Sequence, residues 1–226
     1  MSLAEETAPD RRRGGADRSF SSLFAHALRG APCRVLGLDG GPTDLPVHEW
    51  TRRADPADDA LLSHCHGPTL DVGCGPGRLA ARLAERGERV LGLDVVHEAV
   101  EQTRARGVPA VHASVFDPVP EEGLWTTALL ADGNIGIGGD PAALVRRLRD
   151  VVAPGGRIVV ELAGPGVPTS TRWARLEAAG SLSRPFRWSV VGLDGVADLA
   201  ASAGLRVAVR APFGHGRWVA VLQSPT

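Results

Sequence analysis

The stretch Thr69–Arg78, TLDVGCGPGR, restricts what this chain can become more than any other. Thr69, Leu70 and Val72 are the apolar, partly β-branched run of a short buried strand, and the run stops at glycine. Gly73, Gly75 and Gly77 alternate with Cys74 and Pro76, so the backbone there can turn sharply or touch a ligand without a Cβ in the way. Leu79, Ala80, Leu83 and Ala84 then recur at helical spacing up to Gly87. Strand, glycine turn and helix N-terminus in succession make a site for an anionic or polar group. The pattern departs from the dinucleotide fingerprint GxGxxG, whose third small position, counted from Gly73, holds Arg78. Asp71, at the strand's C-terminal edge, would repel a pyrophosphate and attract a cationic amine.

The segments that follow keep alternating between strand and helix. Arg89–Asp94 predicts a second strand, His97–Arg106 a helix, Pro109–Val115 a third strand and Trp125–Ala131 a fourth. The loop DGNIGIGGDP carries Gly133, Gly136, Gly138 and Gly139, a composition suited to close backbone approach. Asp140-Pro141 then opens a helix, with Ala143, Leu144, Leu148 and Val151 on its buried side. Pro154-Gly155-Gly156 leads to a fifth strand, Val196–Ala203 gives the last helix, and Leu205–Ala211 with Arg217–Gln223 forms a hairpin around PFGHG. This order predicts an α/β fold with a doubly wound, Rossmann-like sheet and helices on both faces. Ligands in such sheets lie beyond the strands' C-terminal ends, so Asp94 projects toward the same crevice as Gly73.

LDVGCGPGR resembles motif I of the class I S-adenosylmethionine-dependent methyltransferases, and the order helix, PGG, strand is a hallmark of the same family. The resemblance spans roughly Thr69–Gln223. It implies a seven-stranded sheet whose last strand pair is antiparallel, with S-adenosyl-L-methionine as cofactor and S-adenosyl-L-homocysteine as product. It assigns Asp71, Gly73, Cys74, Gly75 and Gly77 to the methionine part of the cofactor, Asp94 to the ribose hydroxyls and Val95 to the adenine. Ser114 and Val115 stand at the strand end near the adenine amine, and Ala131, ending the fourth strand, completes the cofactor set. Gly133-Asn134 resembles the GN pair of glycine-type small-molecule N-methyltransferases.

The length, 226 residues, suits one well-cored domain with additions. Residues 1–17, with Arg11, Arg12 and Arg13, are expected as a mobile tail, and 18–66 as a cap of helices and loop. Within the cap, Phe20, Leu23, Phe24, Ala27 and Leu28 share a helical stripe, Gly40–Asp55 is expected as a loop, and Asp58–His66 as a helix. Residues 67–226 form the cofactor domain, with a lid insertion at about 164–191 that is too long to be a plain connection. Acidic and basic residues, 26 and 25, nearly cancel, so neither a nucleic-acid nor a membrane partner is expected, and oligomeric state is left open. Three cysteines without framework spacing and no apolar run of about 20 residues point to a cytoplasmic protein.

For catalysis the candidates are Asp132 and Asn134, delivered by the fourth strand, and His48 as a base. His112 and His215 could also titrate near neutrality. Asp132 and Asn134 have a second reading, in which they only satisfy the backbone of their turn. Trp50, Arg172, Trp173 and Arg187 are candidates for substrate contact, the arginines as a clamp for a carboxylate or phosphate, or else as ordinary surface charge. Trp173 and Trp188 could equally fill a small core of the lid. Adjacent His64, Cys65 and His66 diverge by about 100° per residue on a helix, so no metal site is expected. The family resemblance thus implies methyl transfer to O or N of a small molecule. Its competitors are a non-catalytic binding protein and a protein or RNA methyltransferase.

Overall fold

The computed structural model describes residues 18–39, 41–214 and 216–224. The expected tail with its arginine run, and His215, lie outside the described residues. The apolar stripe near the start forms α1 (Phe20–Leu28), capped by Ser19, whose hydroxyl accepts from the Ser22 N–H. It is followed by β1 (Cys33–Asp39), β2 (Gly41–Asp44), α2 (Val47–Thr51) and α3 (Pro56–Leu62). The segment expected as a loop therefore holds a strand and a helix. Its prolines are compatible with both: Pro42 lies on an edge strand, where no ladder donor is lost, and Pro46 directly precedes α2. Asp55 and Asp58 close a capping box at the start of α3.

From Thr69 the expected alternation is found: β3 (Thr69–Val72), α4 (Arg78–Glu85), β4 (Val90–Asp94), α5 (His97–Ala105), β5 (Ala110–His112), β6 (Trp125–Leu130), α6 (Pro141–Val151) and β7 (Val152–Leu162). The insertion holds β8 (Ser170–Ala178), β9 (Ser181–Leu182) and β10 (Phe186–Val190), and the chain finishes with α7 (Val196–Ser202), β11 (Arg206–Pro212) and β12 (Trp218–Gln223). Seven strands form the main sheet in the order β11-β12-β7-β6-β3-β4-β5. Neighbours are parallel from β7 to β5, whereas β12 is antiparallel to both β7 and β11. Strand periodicity divides the core. Ala128, Leu130, Ile158, Val160, Ala220 and Leu222 meet α6 and α7 on one face, while Leu129, Val159, Val219 and Val221 meet α3 and α4 on the other. No helix among the described residues is long and apolar enough to cross a membrane.

A second, antiparallel sheet has the order β10-β8-β1-β2, with β9 paired to β8. The two coverings expected from the sequence, one before Thr69 and one in the insertion, are thus woven into a single cap. Directly paired residues share a face, so Cys33 with Ala178, Val35 with Leu176 and Ala174 with Phe186 turn toward α1. Arg34 with Glu177 and Trp173 with Arg187 turn away from it. Leu176 is 1% exposed and holds α1 to this sheet. Leu176→Ala is expected to destabilise the protein by about 2–5 kcal/mol, seen as a lower urea midpoint; a loss under about 1 kcal/mol would mean that the cap core collapses to fill the gap.

Candidate functional site

β3 delivers Asp71 to the lip of the sheet and the glycine turn follows. Gly73, Gly75 and Gly77 have φ of 72°, 53° and 80°, the left-handed region that favours glycine. Two of them are also closed to any side chain: a Cβ on Gly73 would lie 2.7 Å from Asn134 Nδ2, and one on Gly77 would lie 2.6 Å from Thr103 Oγ1. Gly75 has nothing within 4 Å of such a Cβ and borders open space. The turn is pinned from β4, where the Leu93 carbonyl accepts from the N–H groups of Gly73 and Cys74 at 2.7 and 3.1 Å. Cys74 tucks its thiol beneath the turn, 3.5 Å from Thr103 Oγ1, and burial pushes that thiol's pKa up.

Asp94 ends β4 with each carboxylate oxygen on a backbone donor, Oδ2 on Gly75 N at 2.9 Å and Oδ1 on Val96 N at 2.8 Å. Each oxygen keeps a further lone pair for a ligand hydroxyl. Burial raises the Asp94 pKa, against the pull of these two bonds. Asp71 is 2% exposed, and its Oδ2 has no hydrogen-bond partner among the described residues. Burial, reinforced by the Asp132 charge and opposed by Arg78, pushes its carboxyl up to about 7. A buried carboxylate oxygen without a donor costs free energy, and a cationic ligand would relieve it.

The turn, Asp71 and Asp94 form one wall of a cavity of about 780 Å³. Val95, Ser114, Val115 and Ala131 also line it, so every residue assigned to the cofactor except Gly77 borders this space. Gly77 instead passes the chain into α4 beneath it. Ser114 accepts from the Phe116 N–H at 3.2 Å and thereby holds its own turn. The opposite wall comes from the cap: Phe20, Phe24, Trp50, Leu176, Phe186 and Trp188. Trp173 and Arg187, on the cap's outer face, contribute the rim. The glycine-rich segment after β6 becomes a kinked helical turn (Asn134–Gly139). Its close approach is to the cap, since a Cβ on Gly136 would overlap the Ser189 carbonyl and the Trp188 indole.

The catalytic candidates are placed differently from one another. Asn134 lines the cavity, and its Nδ2 donates to the Val72 and Gly73 carbonyls, both at 2.9 Å. Asp132 lines it at φ 51°, with its carboxylate taken by Arg78 Nη2 at 2.7 and 2.9 Å and by Arg217 Nη2 at 3.2 Å. Both side chains therefore spend hydrogen-bonding groups on the protein. His48 is not in the cavity: its side chain is 81% exposed beside Glu49 at 3.1 Å. Two residues along α2 is about 200° of rotation, so the helix that turns Trp50 inward turns His48 out. His112 sits at the end of β5 and bonds the Val95 carbonyl at 2.9 Å, away from the lining. Arg172 is exposed and outside the lining, its guanidinium left in water where β8 leaves the cavity.

Beneath the turn lies a charge cluster that sequence reasoning missed. Asp58, fully buried, is ion-paired to Arg78 and accepts from Arg52 Nη1 at 2.7 Å and Arg217 Nη1 at 3.3 Å. Arg217 also holds Glu161 through two bonds of 2.8 Å, and the Asp132 N–H donates to Glu161 at 2.7 Å. Apart from Arg52 and Asp58 these partners are far apart in sequence, and only Arg78, standing where a dinucleotide fingerprint has a small residue, marks the place. Asp58→Ala leaves three guanidinium groups short of an acceptor and is expected to cost about 3–5 kcal/mol. Equilibrium urea unfolding checks it; a cost under about 1 kcal/mol would mean that water screens the cluster.

Compared with known proteins, residues 69–156 match a family model described as a methyltransferase domain. An uncharacterized 37.1 kDa protein in a transposon of Streptomyces fradiae is 36% identical over 109 residues, 45% of this chain and 32% of that protein. Trans-aconitate 2-methyltransferase of Paracidovorax citrulli is 32% identical over 161 residues, 69% of this chain and 55% of that protein. The chain thus spans about a third of the first relative's length and about half of the second's. Among solved structures, a SAM-dependent methyltransferase from Bacteroides fragilis in complex with S-adenosyl-L-homocysteine superposes with a TM-score of 0.78 at 22% identity. The superposition covers 91% of this chain and 94% of that one, a likeness of fold.

Proposed function

Because the chain carries a methyltransferase domain of the class I S-adenosylmethionine-dependent family, we propose that it transfers a methyl group to an O or N atom of a small molecule. The observation that carries this reading is the buried, unbonded Asp71 Oδ2 at the lip of the glycine turn. It fits the ammonium of the cofactor's methionine part, while Asp94 fits the ribose hydroxyls and Val95 the adenine. The open space at Gly75 lets backbone approach the same ligand. The solved Bacteroides fragilis neighbour holds S-adenosyl-L-homocysteine, and trans-aconitate 2-methyltransferase is named for a small acceptor, which agrees with a cavity walled on one side by a cap.

When bound, S-adenosylmethionine supplies a methyl already activated by its sulfonium. The chain's own work is then mostly positioning and exclusion of water. The cap and the Asn134–Gly139 turn cover the lip, Asn134 locks the turn to β3, and the Arg78–Asp132 pair keeps a carboxylate from swinging into the cavity. No histidine lines the cavity among the described residues. The arrangement therefore suits an acceptor that presents a lone pair without needing a strong base.

Two measurements test this. Calorimetry is expected to show binding of S-adenosyl-L-homocysteine, and isotope from methyl-labelled S-adenosylmethionine is expected in the small-molecule fraction of a cell extract. Label confined to protein or RNA would redirect the reading, and no label anywhere would leave a binding protein. The pH dependence is more specific. With its pKa raised to about 7, Asp71 is protonated at pH 5.5 and must lose that proton to receive an ammonium. Affinity is expected to rise up to about tenfold per pH unit toward pH 7, with release of about one proton seen as a buffer-dependent enthalpy. Asp71→Asn should abolish the proton release and weaken binding by roughly 10–100-fold; a pH-independent affinity in the native chain would sink the assignment. In the ligand-free protein the sign runs the other way. A carboxyl raised from about 4 to about 7 on folding contributes stability at low pH that is lost as pH rises between those values.

A further inference from the structure

Five aromatic rings of the cap make one continuous chain of contacts. Trp50 stacks on Phe24 with centroids 5.6 Å apart, and Phe24 stacks on Phe20 at 5.3 Å. Phe20 meets Phe186 edge-on at 4.9 Å, and Phe186 meets Trp188 edge-on at 6.4 Å. All five line the cavity opposite the glycine turn. The protein has only five Trp, five Phe and no Tyr, so half of its rings are gathered on one wall. They are not a sealed core. Each of the five is half-buried, whereas Trp125 and Phe213, which do fill the core, are 2% and 3% exposed. Ring surface left open to a cavity forgoes about 25 cal/mol for each Å² that a ligand could cover.

Charge narrows the occupant. Asp71, Asp94 and Asp132 all line the cavity. Of the two lining cations, Arg78 is taken by Asp58 and Asp132. Arg187, at the rim, has no ion pair among the described residues. An acceptor with several carboxylates would thus find a single unpaired guanidinium, at the entrance, to receive them.

Resting on the methyl-transfer reading, which puts the cofactor on the glycine turn, we infer that the acceptor is a flat, uncharged aromatic molecule held against the Trp50–Phe24–Phe20–Phe186–Trp188 wall. Offset and edge-to-face contacts with those rings supply the selectivity for a planar ring. Val35, Leu38 and Leu45 close the remaining cap side with aliphatic surface. The trans-aconitate of the relative's name is by this argument a poor fit.

The test uses the full chain saturated with S-adenosyl-L-homocysteine, titrated separately with 2-naphthol, cyclohexanol and trans-aconitate, and followed by tryptophan fluorescence and calorimetry. Saturable binding is expected for 2-naphthol, at least tenfold tighter than for either other probe. Trp50→Leu and Phe24→Leu are each expected to weaken 2-naphthol roughly threefold to tenfold, with S-adenosyl-L-homocysteine affinity unchanged as the sign of an intact fold. Should Phe24→Leu lose the homocysteine ligand, Trp50→Leu, on the partly exposed α2, decides alone. Trans-aconitate or cyclohexanol binding as tightly as 2-naphthol, or 2-naphthol binding indifferent to Trp50→Leu, would overturn the inference while leaving the cofactor assignment standing. Failure of the native chain to bind S-adenosyl-L-homocysteine at all would remove both.

Discussion

Arg78 begins α4 with its guanidinium held between Asp58 of α3 and Asp132 after β6, and Arg217 of the terminal hairpin reaches the same two carboxylates together with Glu161 of β7. With Arg52 this makes three cations and three anions drawn from several separate elements. Because each buried charge depends on its partners, none of these elements can shift alone without leaving a charge uncompensated. The cluster also governs the lip above it. Burial pushes the Asp71 pKa up, and the cluster adjusts that shift from below, the Asp132 charge adding to it and Arg78 opposing it.

Much of the main sheet was legible because its central strands are apolar runs, and two of them are stopped by a residue with a physical reason to stop them. β3 ends before Gly73 and β4 ends at Asp94, and α6 opens with the Asp140-Pro141 pair that its cap uses, the Asp140 carboxylate accepting from Ala143 N at 2.9 Å. The cap was much less legible. β1 alternates Cys33 and Val35 inward with Arg34 outward, but that alternation acquires meaning only beside β8, far along the chain. Taking Gly40–Asp55 for a loop hid α2, and with it the rotation that separates Trp50 from His48. Phe20 and Phe24 were recognisable as one helical face, yet nothing local says that the face looks into a cavity rather than a core. Residues 52, 58, 78, 132, 161 and 217 carry no shared pattern at all, since ion pairs between distant elements leave no period in a sequence.

Floor and roof of the site have separate origins in the chain. The family match, residues 69–156, takes in the glycine turn, Asp94 and the Asn134–Gly139 turn, and ends before any strand of the insertion. The aromatic wall is built from α1, α2 and β10, all outside that match. Likeness to relatives over the floor therefore speaks to the cofactor side of the cavity, while the acceptor side is written in residues that the match does not cover. Fold and acceptor are independent properties in such an architecture.

The pairing of β1 with β8 also sets an order of events during synthesis. Arg34 and Glu177, cross-strand partners, stand 143 residues apart. At roughly 5–20 residues per second of translation, β1 leaves the ribosome on the order of ten seconds before the strand that completes it. Until then β1 has only α1 and the short β2 hairpin beside it, and two strands alone are marginal in water. The nascent chain thus carries an unfinished, sticky edge through most of its elongation, and the last third of the polypeptide acts as the shutter that retires it.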